Sequence, residues 1–227
     1  MTHFPFKLID LTHTLSPTIP TWDNTCGFNH QIQYDYDSSA PVQFRTHDIH
    51  MREGIGTHID APAHCFKNSI TIDQLPLSDL LAPCIVIDVA SIAHERFSLS
   101  VNDIKSFENI HGEIPPRHVV IIKTGWGKYW GNPEKYHNNH LFPCVSHEAA
   151  LLLLDRNILG LGIDTLSPDR PDLGFPVHAA LLGANKYIIE NIANLDALPV
   201  IGSFILALPI KIENGTEAPV RLVAFVR

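Results

Sequence analysis

The densest chemistry in the chain lies in Gly56-Thr57-His58-Ile59-Asp60-Ala61-Pro62-Ala63-His64, where two imidazoles and a carboxylate fall within seven residues. On a strand, the i, i+2 spacing of His58 and Asp60 turns both side chains to one face. Their Cα atoms would then lie about 6 to 7 Å apart, close enough to share one cation or a close pair of cations. Pro62 stops a regular strand or helix and turns the chain. His64 can then point back toward the same metal, or toward whatever is bound on it. A single histidine in such a loop would be read as a packing or hydrogen-bonding residue. Three ligand-type side chains, with a glycine and a proline at fixed offsets, read as a functional metal site.

A second pair, His178 and Glu190, can be brought together by the local fold. A short helix is predicted from Pro176 through His178 to Gly183, followed by a strand over 186–189 that ends at Glu190. The helix rises about 1.5 Å per residue and the strand covers about 3.3 Å per residue, so the short return offsets the longer rise. Cys65 follows His64 directly. Neighbours on a strand point to opposite faces, which would turn the Cys65 thiol away from the site and argues against a cysteine nucleophile.

The surrounding elements must hold these residues in place. A short strand is predicted over 8–12, and the Pro-rich stretch 16–22 reads as an ordered loop ending at Trp22. Partial alternation over 43–51 predicts a strand that leads into the metal motif. A short helix follows over 75–81, and the apolar runs 84–89 and 119–124 read as buried strands. Ser146 is a good N-cap for a helix over 147–154, with Glu148 in the first turn, where the helix dipole favours an acid. Strands are also predicted over 159–164, 201–209 and 220–226. Strands and short helices alternate without repeats or linkers, which predicts one mixed α/β domain over residues 1–227.

Composition sets the outer bounds. The 227 residues are 45% hydrophobic and 18% charged, a globular composition that excludes disorder. A net charge of -8 offers no basic field for nucleic acid or an acidic membrane. The 14 histidines scatter from His3 to His178, so only clusters carry meaning. Cys26, Cys65, Cys84 and Cys144 form no CxxC pair, and the N-terminus has no signal-peptide pattern. No apolar run approaches the roughly 18 residues of a membrane span. A reduced, cytoplasmic setting is expected.

The nine-residue motif resembles the GTHxDAPxH signature of the cyclase-type metal-dependent hydrolases, the family that includes bacterial kynurenine formamidase and isatin hydrolase. Supporting similarities run along nearly the whole chain: Asp10-Leu11-Thr12, Trp22 after a proline, Thr124-Gly125-Trp126, Gly162-Ile163-Asp164 and Ile189-Glu190-Asn191. The resemblance implies a swivelling β/β/α fold with a predominantly β core flanked by short helices, and a homodimer or larger homo-oligomer. It makes His58, Asp60, His178 and Glu190 metal ligands, His64 the acid-base residue and Trp22 a wall of the substrate pocket. Such a ligand set, without cysteine, suits Zn²⁺ or Mn²⁺, with one or two ions per chain. The implied activity is hydrolysis of a C–N amide bond, in an aryl formamide such as N-formylkynurenine or a cyclic amide such as isatin.

Two departures qualify this expectation. Family members usually carry a further metal-binding histidine four residues before the position of His58, and Gly54 stands there instead. One metal position is therefore expected to be under-coordinated, with fewer than two tightly held cations per chain. A non-catalytic metal- or small-molecule-binding protein is the alternative reading. In addition, Asp23-Asn24-Thr25 stands where the formamidases tend to have Pro-Gly-Asp, which leaves the substrate open.

Overall fold

The computed structural model describes residues 5–36 and 41–227, so residues 1–4 of the N-terminal segment read above lie outside the described residues. The strands are β1 (Lys7–Asp10), β2 (Phe28–Asp35), β3 (Arg45–Met51), β4 (His58–Asp60), β5 (Leu81–Asp88), β6 (Ser98–Leu99), β7 (Val119–Lys123), β8 (Cys144–Val145), β9 (Gly160–Ile163), β10 (Tyr187–Glu190), β11 (Ser203–Pro209) and β12 (Glu217–Val226). The α-helices are α1 (Leu77–Leu80), α2 (Val101–His111), α3 (Pro133–His137), α4 (His147–Asp155) and α5 (Pro176–Gly183). This is a mixed α/β fold built on a β core, as expected.

The main sheet runs in the order β1-β12-β11-β5-β7-β9-β10-β4, and a further pairing of β4 with β12 closes it into a barrel. The strands β5, β7, β9 and β10 are parallel, whereas β11, β12 and β4 join antiparallel. Their side chains alternate strictly, as a strand period of two requires. Ile59, Val86, Ile121, Ile189, Ile205 and Leu222 fill one face. The other face carries Ile85, Ile87, Val120, Ile122, Leu161, Ile163 and Ile188, packed against Ile104 and Phe107 of α2, Leu153 of α4 and Leu181 of α5.

That alternation places the chemistry. Ile59 points to the first face, so His58 and Asp60 share the opposite one. Glu190 pairs with His58 across β10 and β4, and Glu217 pairs with Asp60 across β12 and β4. Residues directly opposite in a sheet point to the same side. Three strands thus bring four polar side chains to one face at the seam where the barrel closes.

Several elements differ from the sequence reading, which contained none of the short elements β6, β8 and α3. Strand β12 begins at Glu217 rather than at residue 220, because Pro219, which reads as a strand breaker, is accommodated opposite His58. Helix α2 was absent from that reading, although its capping box is visible: the Ser100 Oγ accepts from the Asp103 N–H and the Asp103 carboxylate accepts from the Ser100 N–H. Strand β2, also absent from it, pairs with β3 in a separate two-stranded sheet.

Candidate metal centre

Each residue of the nine-residue motif has a distinct physical task. Gly56 adopts φ +62°, and a Cβ there would lie 2.5 Å from the Leu15 side chain, so the chain enters β4 through a glycine. The Thr57 hydroxyl donates to the Asn191 carbonyl at 2.7 Å, tying the start of β4 to the segment after β10. Ala61 closes the strand, and Pro62 opens the 3-10 turn Pro62–His64. This turn swings His64 over the sheet face, with its ring centroid 5.9 Å from that of His178.

His178 arrives from the first turn of α5. The side chain of Asp169 caps that helix from eight residues upstream, accepting the Val177 N–H at 3.1 Å and the His178 N–H at 2.9 Å. The same carboxylate accepts from His178 Nδ1 at 2.8 Å. His58 Nδ1 donates in turn to the Gly56 carbonyl at 2.9 Å, and that carbonyl also receives the Asn191 side-chain amide. In both rings the Nδ1 proton is thereby assigned and Nε2 is the nitrogen that faces the carboxylates, where it would donate its lone pair to a cation once its own proton is displaced.

The four sequence-predicted ligands converge. His58 Nε2 lies 3.4 Å from Asp60 Oδ1 and 3.3 Å from Glu190 Oε2, and His178 Nε2 lies 3.6 Å from Asp60 Oδ2 and 3.5 Å from Glu190 Oε1. Bonds of about 2.0 to 2.2 Å to a tetrahedral ion would separate its ligand atoms by about 3.3 to 3.6 Å. Two overlapping triads bring one ligand-type atom from each residue within 4.8 Å of the others, His58 with Asp60 and Glu217, and Asp60 with His178 and Glu190. Asp60 is 1% exposed, and neither of its carboxylate oxygens has a hydrogen-bond partner. A buried, unsatisfied carboxylate is costly unless a cation completes it, so the residues fit a metal.

The electrostatics follow from crowding. Burial lowers the pKa of His58, but Glu190, Asp60 and Glu217 outweigh it and raise the ring to about 10. Burial likewise lowers His178, while Asp169, Asp60 and Glu190 carry it well above its usual value. Burial, then the Glu190 charge, pushes Asp60 up. For Glu190 the burial penalty is outweighed by His178 and His58, which hold it at about 2. Protons on the two imidazoles thus balance the carboxylates, and a divalent cation would displace them on binding.

A cavity of about 490 Å³ opens above the centre, lined by His58, Asp60, His64, His178, Trp22 and Phe175 among others. The carbonyl of Trp22 accepts from His137 Nε2 at 2.8 Å and His140 Nε2 at 2.7 Å, which fixes the tryptophan loop. Its indole lies 4.2 Å from the His140 ring and 6.0 Å from Phe175. Cys65 also lines this cavity, contrary to the expectation that it points away, because residues 62 to 64 form a turn rather than a strand. Burial pushes its thiol above the ordinary value, which keeps it protonated and a poor nucleophile.

Sequence reasoning missed Asp169, Asn191, His137, His140 and Glu217. None shares a motif with the residue it supports, and Glu217 lies 157 residues beyond its strand partner Asp60. Only Asp169, in Ser167-Pro168-Asp169 shortly before a predicted helix, offered a local hint.

Comparison with known proteins identifies the family. The family described as "Putative cyclase" matches residues 9–170. Isatin hydrolase of Roseibium aggregatum is 32% identical over 97% of this chain and 92% of its own length. Kynurenine formamidase of Bacillus cytotoxicus is 26% identical over 95% of each chain. The solved isatin hydrolase A from Ralstonia solanacearum superposes with a TM-score of 0.88 at 31% identity, over 98% of this chain and 92% of that one. With the fold, the motif and the relatives in agreement, the chain belongs to the cyclase family and is a metal-dependent hydrolase of the amidohydrolase class.

Proposed function

We propose that this enzyme cleaves the C–N amide bond of a small planar substrate, either an aryl formamide such as N-formylkynurenine or a cyclic amide such as isatin. The observation that carries this reading is the placement of His64, one-third exposed at the cavity, beside two triads of ligand-type side chains in which Glu217 alone is not fully buried. His58, Asp60, His178 and Glu190 would hold Zn²⁺ or Mn²⁺, with one or two ions per chain. When bound, such a cation polarises a carbonyl and lowers the pKa of water toward about 7.

His64 then removes the proton of the attacking water as oxygen adds to the carbonyl carbon. It returns that proton to the leaving nitrogen as the C–N bond breaks. Its Nδ1 lies 3.2 Å from Glu217 Oε2, and this bond chiefly raises the ring's pKa, leaving Nε2 as the exchanging nitrogen. Trp22 and Phe175 supply flat faces for an aromatic ring, a stacking worth about 0.5 to 1.5 kcal/mol beyond area burial. We further propose that the whole chain acts as one domain within a cytoplasmic homodimer; four unpaired thiols support the compartment and an exposed apolar hairpin supports the assembly.

Turnover of N-formylkynurenine, isatin and simple aryl formamides by metal-loaded protein tests this reading. His64→Asn is expected to keep the wild-type metal content while kcat falls by about 10² to 10⁴-fold, the usual scale of general acid-base catalysis. No turnover of any amide offered would sink the reading. Loss of metal in parallel with rate would make His64 a ligand instead.

A further inference from the structure

Gly54 stands where the sequence reading expected a vacant coordination position, and the space beside it is filled. A Cβ at residue 54 would collide with Glu217 Oε1 and lie 2.8 Å from Glu217 Cδ. The glycine therefore makes room for a side chain that arrives from β12. Glu217 Oε1 lies 3.7 Å from His58 Nε2, and the residue sits directly across from Asp60 in the β12–β4 register. Its other oxygen, Oε2, faces His64 Nδ1.

The backbone beneath this carboxylate is held firmly. Glu53 Oε2 accepts from the Thr216 N–H at 3.0 Å and the Glu217 N–H at 3.3 Å. Thus Glu53 fixes the start of β12 while its neighbour Gly54 gives up a side chain. Independent evidence for a ligand comes from Asp60, whose oxygens are buried and unpartnered and divide between the triads, Oδ1 toward His58 and Oδ2 toward His178.

We propose that Glu217 is a protein ligand of a second cation, held with His58 and Asp60, and that Asp60 bridges this ion to one held by His178 and Glu190. Through its other oxygen, Glu217 also positions His64, so one side chain links the metal centre to the proton-transfer residue. This inference rests on the metal centre described above but not on the identity of the substrate. A ligand set with one imidazole and two carboxylates is oxygen-rich, which favours Mn²⁺ over Zn²⁺ at that position.

Metal content of the full chain after loading with Mn²⁺ and dialysis reads this directly, without any substrate. Wild type is expected to retain two equivalents per chain and to show the exchange-coupled electron paramagnetic resonance signal of a manganese pair. Glu217→Ala should retain one equivalent and give the signal of an isolated ion. The double variant G54H/E217A, in which the histidine enters the vacated space, should regain the second equivalent, which also shows that loss in the single variant was not a folding failure. Glu217→Gln, equal in size, should weaken the second site without changing the far-ultraviolet circular dichroism. A single equivalent in wild type, or two equivalents with an unchanged coupled signal in Glu217→Ala, would overturn the proposal. Absence of amide turnover would refute the substrate reading and leave these metal readouts intact.

Discussion

At the scale of single residues, the centre depends on side chains that never touch a substrate. Asp169 makes three hydrogen bonds, two to the first N–H groups of α5 and one to the His178 ring. It therefore sets both where the helix begins and which imidazole nitrogen faces the carboxylates. Asp169→Asn keeps the size but loses one acceptor and the charge that steadies the imidazole. Partners of this kind typically contribute 10- to 100-fold in metal affinity. Equilibrium dialysis with Mn²⁺ or Zn²⁺ should show a weakening of that order while Tm of the metal-free protein shifts by only a few degrees. An unchanged affinity would mean that α5 packing alone orients His178.

At the scale of elements, the helices on the outer face hold the sheet that carries the site. Arg156, at the end of α4, grips Glu108 of α2 through Nε at 2.7 Å and Nη2 at 3.1 Å. This guanidinium draws the Glu108 carboxyl from an ordinary value near 4.5 down to about 2. A carboxyl with a depressed pKa in the folded state stabilises the fold above its unfolded pKa, and that stabilisation is lost as the pH falls through the folded value. The pair should therefore contribute fully above about pH 4.5 and fade toward pH 2. Replacing Arg156 by Met is expected to cost about 1 to 2 kcal/mol near neutral pH, with part of the interaction screened by solvent. Urea denaturation of both proteins at pH 7 and at pH 2.5 should show this difference shrinking in acid.

At the scale of the whole molecule, the β2–β3 hairpin stands apart from the barrel. Ile32, Tyr34, Phe44 and Ile49 are each more than half exposed, at 54%, 62%, 53% and 61%. A two-stranded sheet is marginal in water unless a further surface packs against it, which is the physical support for the proposed homodimer. Tyr34→Lys combined with Ile49→Lys should convert a dimer to a monomer in light scattering after size exclusion, with metal content retained. A wild-type monomer at micromolar concentration would refute the assembly.

What the sequence determined by itself was local in origin. The period-two spacing of His58 and Asp60 put both on one face, Pro62 turned His64 back over them, and Ser146 capped α4 through the Ala149 N–H as its position predicts. The apolar runs that became β5, β7 and β9 were equally legible, since strands buried on both faces show as continuous aliphatic stretches. The tertiary structure alone decided the rest. Whether Gly54 leaves a gap depends on Glu217, and the two meet only because β12 returns to pair with β4 and close the barrel. That pairing is a register between segments more than 150 residues apart, and nothing in the spacing along either one specifies it. Local spacing sets which residues share a face, whereas closure of the sheet sets which faces meet.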